Sequence, residues 1–256
     1  MRQLLFWSCL PFVLPQALRV RRTAPRFAGP ACARSGRIAG NRSLRLIGIG
    51  DSVIEGVGAS RLDRALVGQT AQVLARELDS GVDWHCVGSI GATSGKIARQ
   101  LLGRLPAGPA DFIVVSAGVN DITSLATLRQ WRRSLSDIVS GLDRHSPNAI
   151  IAVAGIPPLK DFPLLPRPLR TVLGIRGHSF DQVARQVVAA YPNVVHAQLE
   201  FQTRGDSFAA DGFHPSESSY AALARTLARA MLERRERNSA GDSMQAHSPF
   251  PLTGAP

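Results

Sequence analysis

The chain has few cysteines and no acidic residue near its start. Its three cysteines lie far apart among 256 residues, and an odd, widely spaced set argues against a disulfide framework and against a CxxC metal site. Residues 1–43 contain eight arginines and no aspartate or glutamate. Removing these eight charges from the net charge of +11 leaves about +3 for the rest. The basicity therefore belongs mostly to an N-terminal arm. Because no recognition motif accompanies it, a nucleic-acid partner is not indicated.

A long uninterrupted apolar run is also missing. The candidate Leu4–Leu18 has 15 residues and contains Pro11 and Pro15, whereas a membrane-spanning helix needs about 20 apolar residues. An arginine cluster follows at residues 19–26. Three interpretations of residues 1–26 stay open: a peripheral membrane anchor, the start of an exported precursor, and an arm docked on the protein. The corresponding locations are membrane-associated, exported and cytoplasmic, and we favour a cytoplasmic or membrane-associated protein.

Short apolar runs alternate with helical patterns over the rest of the chain. The strand candidates are residues 44–50, 82–87, 111–116, 149–155 and 193–197. The helix candidates are residues 61–78, 94–105, 125–145, 176–191 and 216–236. This order predicts an α/β fold in three layers, with a doubly wound parallel sheet between helices. We place the folded domain at residues 44–236, between the basic arm at 1–43 and a polar tail at 237–256 that is predicted to be disordered.

Small polar residues follow several of the predicted strands. Gly50-Asp51-Ser52 ends the first strand, Gly91 follows the second, and Gly118-Val119-Asn120-Asp121 follows the third. In a doubly wound sheet, ligands bind outside the carboxyl ends of the strands. We therefore expect these three loops to converge on one site with the loop after the fourth strand and the loop that carries His214.

A serine at such an edge is a nucleophile only if a base and donors for the developing negative charge lie beside it. His214 is the candidate base, because Asp211 can accept a hydrogen bond from one ring nitrogen and leave the other for Ser52. The Asn120 side chain and the amides of Ser52 and Gly91 are candidate oxyanion donors. Each residue also has a structural alternative: Asp211 and Asn120 as caps, His214 as a helix-flanking residue and Gly91 as a loop glycine.

In chain order, these residues resemble the four signature blocks of the SGNH, or GDSL-type, hydrolases: Gly50-Asp51-Ser52, Gly91, Gly118-x-Asn120-Asp121 and Asp211-x-x-His214. The resemblance covers about residues 44–232. It implies a flavodoxin-like α/β/α sandwich with a five-stranded parallel sheet, and ester hydrolysis without a metal or other cofactor. By the same resemblance, Ser52 is the nucleophile, His214 the base and Asp211 its orienting partner. The oxyanion hole then consists of the Ser52 amide, the Gly91 amide and the Asn120 side chain.

These patterns favour an esterase or lipase-like acyl hydrolase that acts on a small-molecule ester through an acyl-serine intermediate. Two alternatives stay open: an acyltransferase with the same nucleophile, and a non-catalytic module that binds lipid or glycan. The proline-rich segment Ile156–Leu173 is either an apolar flap that binds an acyl chain or a connection that packs on the sheet. With His214 as the base, activity is expected to rise with pH through roughly pH 6–7. The residues indicate no particular oligomeric state.

Overall fold

The computed structural model describes residues 2–25, 27–199 and 206–246, and a six-stranded sheet forms its centre. The strands are β1 (Ser35–Ile38), β2 (Ser43–Gly50), β3 (Gly81–Gly88), β4 (Phe112–Ser116), β5 (Ile150–Ala154) and β6 (Val194–Ala197). Their order across the sheet is β1-β3-β2-β4-β5-β6. Strands β2 to β6 are parallel, and β1 pairs with β3 in the antiparallel direction. The predicted parallel sheet is confirmed, and β1 adds an antiparallel edge strand that was not predicted.

Helices cover both faces of the sheet. They are α1 (Arg2–Thr23), α2 (Leu66–Glu77), α3 (Ser94–Lys96), α4 (Val119–Thr123), α5 (Leu128–His145), α6 (Leu169–Val188) and α7 (Glu217–Ala246). Shorter helical turns lie at Leu62–Arg64, Ile97–Leu101, Leu102–Arg104 and Leu159–Asp161. Helices α5 and α6 enclose one hydrophobic core, and α2 and α7 enclose the other. Along β2, Ile47 and Ile49 belong to the first core, whereas Leu44 and Leu46 belong to the second. Burial on both faces explains the continuous apolar runs of β2, β4 and β5.

Several helix boundaries differ from the predicted ones. The helix predicted over 125–145 begins at Leu128, because Thr127 and Gln130 form a capping box there, and α4 precedes it as a separate short helix. The helix predicted over 94–105 consists of three short helical segments. Helix α6 begins at Leu169 rather than 176, so the end of the proline-rich segment is helical.

Helix α7 extends to residue 246 and thus includes residues 237–246 of the segment predicted to be disordered. Residues 237–246 contain no glutamate and include Gly241, but they continue an existing helix, and extending a helix avoids the cost of starting a new one, which the compositional prediction did not weigh. Residues 247–256 of that tail, with His247, lie outside the described residues.

The arm predicted at residues 1–43 contributes to the fold. Residues Ser35–Ile38 join the sheet as β1, and α1 packs on α6 with Phe6 and Val13 buried in the core. The boundary at residue 44, which we placed where the first predicted strand begins, therefore does not mark the edge of the fold. Within the described ranges, no helix combines the length and the apolar character needed to cross a bilayer.

Candidate active site

Ser52 lies in the loop that follows β2, at the carboxyl edge of the sheet. Strands β2 and β4 are neighbours, and the Asp51 amide donates to the Ser116 carbonyl over 3.2 Å where they end. Ser52 comes next and lines a pocket. Further along the loop, the buried Tyr220 hydroxyl donates to the Val57 carbonyl over 2.6 Å. The loop is thus held on both sides of Ser52, which limits where its hydroxyl can lie.

Ser52, His214 and Asp211 form a continuous chain of hydrogen bonds. The Nδ1 atom of His214 lies 2.5 Å from Asp211 Oδ2, and its Nε2 atom lies 2.9 Å from Ser52 Oγ. Because an ionised carboxylate can only accept, Nδ1 carries the proton and Nε2 accepts from the Ser52 hydroxyl. The structure therefore brings together the three residues that are predicted from the sequence as nucleophile, base and orienting acid.

A tight turn holds the Asp211 carboxylate in place. Its Oδ1 atom accepts from the amides of Phe213 and His214, each over 2.9 Å. Burial alone would raise the pKa of Asp211, but hydrogen bonds from the His214 ring and the two amides outweigh it and hold the pKa below the ordinary 3.8. A side chain at Gly58, whose φ is +97°, would clash with the Pro215 carbonyl. Glycine there lets the Ser52 loop lie close against the His214 turn.

Asn120 lies in α4, directly after β4, and lines the same pocket as Ser52. Its Nδ2 atom donates to the Ala92 carbonyl over 3.0 Å, which leaves the second hydrogen of that amide group for another acceptor. Gly118 directly precedes α4 with a φ of +113°, which other residues rarely adopt, and a Cβ atom there would come within 3.2 Å of the Trp131 ring. Glycine at this position therefore allows Asn120 to follow so closely after the strand.

Gly91 lies in the exposed turn after β3 with a φ of +73°, and it is not among the residues that line the pocket. In the described part of the chain, neither its amide nor that of Ser52 donates to a protein acceptor. Asp121 ties this turn to α4, since its carboxylate accepts from the Ser94 amide over 2.8 Å and from the Ser94 hydroxyl over 2.6 Å. The Gly91 turn is thereby held beside Asn120.

A buried carboxyl group directly precedes Ser52. The Oδ1 atom of Asp51 accepts from the Val53 amide over 3.1 Å and from the Ser116 hydroxyl over 3.0 Å. Burial raises the pKa of Asp51 to about 6 in spite of these hydrogen bonds. Sequence reasoning gave Asp51 no role of its own, because a carboxylate in a Gly-Asp-Ser turn cannot be distinguished by spacing from an ordinary turn residue.

Apolar side chains form most of the wall beside Ser52. They include Val53, Val119, Phe162, Leu199 and Phe213. Phe162, from the proline-rich loop, packs edge to face on Phe213 with ring centroids 5.2 Å apart. The Leu164 amide also donates to the Gly212 carbonyl over 3.1 Å. The loop at residues 156–168 thus packs on the fold and also supplies part of the pocket wall.

A second carboxylate–imidazole pair anchors the start of this loop. The Oδ1 atom of Asp181 lies 2.8 Å from His196 Nε2 and accepts from the Ile156 amide over 3.0 Å, and Oδ2 accepts from Arg185 over 3.0 Å. Burial alone would raise the pKa of Asp181, but these three donors lower it to about 2. Sequence reasoning placed His196 only in a strand, because no local pattern links it to a residue on α6.

Within the described ranges, no group of three histidine, cysteine, aspartate or glutamate side chains could hold a metal ion.

The model of the GDSL-like lipase/acylhydrolase family matches residues 49–222, well over half of the chain. The chain belongs to this family. The match begins in β2 and ends in α7, so this GDSL-like protein carries Ser52, Asn120, Asp211 and His214 inside the family region.

A GDSL-like esterase of Mycobacterium tuberculosis is 28% identical over 191 residues, which are 72% of this chain and 60% of that protein. The chain thus spans about 60% of the length of this curated relative. A family 3 carbohydrate esterase of Clostridium thermocellum superposes with a TM-score of 0.60 at 19% identity, covering 77% of this chain and 99% of that one. The psychrotrophic esterase EstA of a Pseudoalteromonas species gives 0.55 at 17% identity, with coverages of 75% and 98%. At these identities, the two structural matches show the shared fold of the GDSL-like chain.

Proposed function

We propose that the chain is a serine-dependent carboxylic ester hydrolase that works through an acyl-serine intermediate. The hydrogen-bonded chain of Ser52, His214 and Asp211, beside an apolar pocket, is the observation on which this assignment rests. Membership of the GDSL-like family and the esterase name of the mycobacterial relative support ester hydrolysis as the class of reaction.

In the first half of the reaction, Ser52 Oγ attacks the carbonyl carbon of the ester and its proton moves to His214 Nε2. The carbonyl electron pair moves to oxygen and forms a tetrahedral oxyanion. Asp211 holds the proton on Nδ1 and stabilises the imidazolium that forms. The oxyanion then collapses, the bond to the alcohol oxygen breaks, and His214 returns its proton to that oxygen. The alcohol leaves, and the acyl group remains as an ester of Ser52.

In the second half, water replaces the alcohol. His214 Nε2 takes a proton from the water as its oxygen attacks the acyl carbon, and a second oxyanion forms. When this collapses, the bond to Ser52 Oγ breaks and His214 protonates the serine. A carboxylic acid is released, and the starting protonation state returns.

The oxyanion in both halves needs hydrogen-bond donors that are already in place. The Ser52 amide and the second hydrogen of the Asn120 side chain are unused by the protein in the described residues, as is the Gly91 amide. We assign these three donors to the oxyanion. Each typically contributes a factor of about 100 to 1000 in kcat.

The apolar wall of the pocket indicates what kind of acyl group the substrate carries. Phe162, Phe213 and Val119 offer no charge or hydrogen-bond donor from their side chains to a ligand, so they suit a hydrocarbon chain better than a polar acyl group. We therefore propose an ester with an uncharged, apolar acyl group as the substrate class.

The decisive assay uses p-nitrophenyl esters of acetate and of longer acids, with Ser52→Ala compared with wild type. Ser124→Ala is the matched control, because Ser124 is an exposed serine at the end of α4. We expect Ser52→Ala to lose all activity above background and Ser124→Ala to stay within about twofold of wild type. A fluorophosphonate probe should label the peptide that contains Ser52. Activity that survives in Ser52→Ala, or a label on another residue, would overturn the mechanism.

A further inference from the structure

Helix α1 carries apolar side chains on both of its faces. Its inner face is formed by Phe6, Cys9, Leu10, Val13, Ala17 and Val20, each of which lies three or four residues from another of the set and packs against the core. Its outer face is formed by Leu4, Leu5, Trp7, Phe12, Leu14 and Leu18, which are exposed. Phe12 is 82% exposed and Leu4 is 74% exposed, and the other four side chains are 41% to 49% exposed.

The inner face is firmly docked, so the outer face belongs to a fixed surface of the protein. The guanidinium of the fully buried Arg176 lies over the Phe6 ring, 4.3 Å from its centroid, and 5.3 Å from the centroid of Trp7. Arg176 also donates to the Ala126 carbonyl beside α5. Folding alone does not require the exposed leucines and phenylalanine, and contiguous exposed apolar surface marks an interaction site.

Positively charged side chains follow the apolar ones at the C-terminal end of the outer face. Arg19, Arg21 and Arg22 are exposed, and none of them forms an ion pair with the described residues. Arg22 follows Leu18 by four residues and therefore lies on the same side of the helix. The first 50 residues contain no acid to oppose these charges. An apolar helix face that ends in unpaired arginines is complementary to a bilayer with anionic headgroups.

The basic end of α1 lies next to the pocket loop. Gln16 Nε2 donates to the Arg167 carbonyl over 3.1 Å, and Gln16 Oε1 accepts from the Leu169 amide over 3.2 Å. Arg167 is exposed and adds a further positive charge, whereas Asp161 is the single acid in residues 156–169. The loop that supplies Phe162 to the pocket therefore ends beside α1.

We propose that α1 docks the protein on an anionic lipid surface. The helix lies in the plane of the headgroups, its outer apolar side chains enter the acyl boundary, and Arg19, Arg21 and Arg22 lie among the lipid phosphates. In this orientation the proline-rich loop is held near the same surface. Docking does not depend on Ser52 acting as a nucleophile, so Ser52→Ala should bind vesicles as wild type does.

The role of the three arginines is tested by sedimentation of the full chain with vesicles of phosphatidylcholine, alone or mixed with phosphatidylglycerol. We expect binding to the anionic vesicles to be at least about tenfold stronger and to weaken as salt is added. Replacing Arg19, Arg21 and Arg22 together by glutamine should weaken it roughly 100-fold, at about fivefold per charge. The control replaces Arg76, Arg225 and Arg237 by glutamine, because these exposed arginines lie on α2 and α7 across the sheet. That control should change binding by less than about twofold.

The apolar face is tested with the double variant Leu4→Gln/Phe12→Gln. Both side chains are exposed, so the melting temperature should stay unchanged while vesicle affinity falls by at least about tenfold. Trp84 and Trp131 are buried, so a blue shift of tryptophan emission on adding anionic vesicles reports Trp7. Equal affinity for neutral and anionic vesicles, equal losses in the two arginine triples, or unchanged binding in the double variant would each overturn the proposal. A dimer of the wild type that Leu4→Gln/Phe12→Gln dissociates would instead assign this face to a second copy of the chain.

Discussion

Replacing Asp181 by asparagine tests how the start of the pocket loop is held. The carboxylate, whose side chain is 17% exposed, binds the His196 ring, the Ile156 amide and Arg185. The decrease of its pKa from 3.8 to about 2 corresponds to roughly 2 kcal/mol of stability. Because asparagine can still accept from the Ile156 amide, we expect Asp181→Asn to lower the free energy of unfolding at neutral pH by about 1–2 kcal/mol.

The sign of the pH dependence follows from the lowered pKa. The contribution of Asp181 is fully present above the unfolded value of 3.8 and is lost as the pH falls towards about 2. Urea unfolding of wild type and variant should therefore show a constant difference from about pH 7 to pH 5 and roughly half of it near pH 3. Asp137→Asn is the control, because Asp137 is exposed on α5 and should change the free energy of unfolding by less than about 0.5 kcal/mol.

Two results would refute this account. A difference of the same size near pH 3 and pH 7 would mean that the carboxylate charge is not what stabilises the fold at this position. No difference at any pH would mean that the contacts of Asp181 are compensated in the unfolded chain or by water.

Three further perturbations concern Ser52 and its surroundings. Because burial raises the pKa of Asp51 to about 6, the free energy of unfolding should fall by about 2 kcal/mol as the pH rises from about 4 to 6, and Asp51→Asn should abolish this fall in urea titrations; a flat wild-type profile would contradict it. Asn120→Ala should lower kcat for p-nitrophenyl acetate about 100- to 1000-fold with little change in KM, and an effect on KM alone would exclude Asn120 as an oxyanion donor. Gly118→Ala should lower the free energy of unfolding by about 1–3 kcal/mol, since an alanine at a φ of +113° is strained and its Cβ would press on the Trp131 ring; an unchanged urea midpoint would show that α4 can shift.

The strands with the strongest apolar runs were the most predictable parts of the fold. Strands β4 and β5, and β2 from Leu46 onwards, are buried on both faces, so each contains a continuous apolar run that can be recognised in the sequence. Strand β1 has no such pattern, because Ser-Gly-Arg-Ile is half exposed at the sheet edge and gains its structure by pairing with β3. Helix α1 was ambiguous for a related reason: Pro11 and Pro15 weaken it locally, and packing on α6 compensates.

The order of the strands was what made the candidate site predictable from the sequence. Because Ser52 and Asn120 each follow a parallel strand, the topology predicted that they meet, and both line the pocket. Contacts between elements were not predictable in the same way. No spacing rule relates Asp181 to His196, or Phe162 to Phe213, since these pairs form only when helix, strand and loop are packed together.

Because β2 to β6 are parallel, their carboxyl ends lie at one edge of the sheet and their amino ends at the other. These two edges differ in how well they tolerate inserted residues. Every loop that lines the pocket leaves a carboxyl end, whereas Pro147 and Asn148 are exposed in the turn that enters β5 at its amino end. A strand of five residues at about 3.3 Å per residue puts this turn roughly 16 Å from the pocket edge. A peptide epitope or a surface-immobilisation linker inserted between Pro147 and Asn148 would leave access to the pocket open.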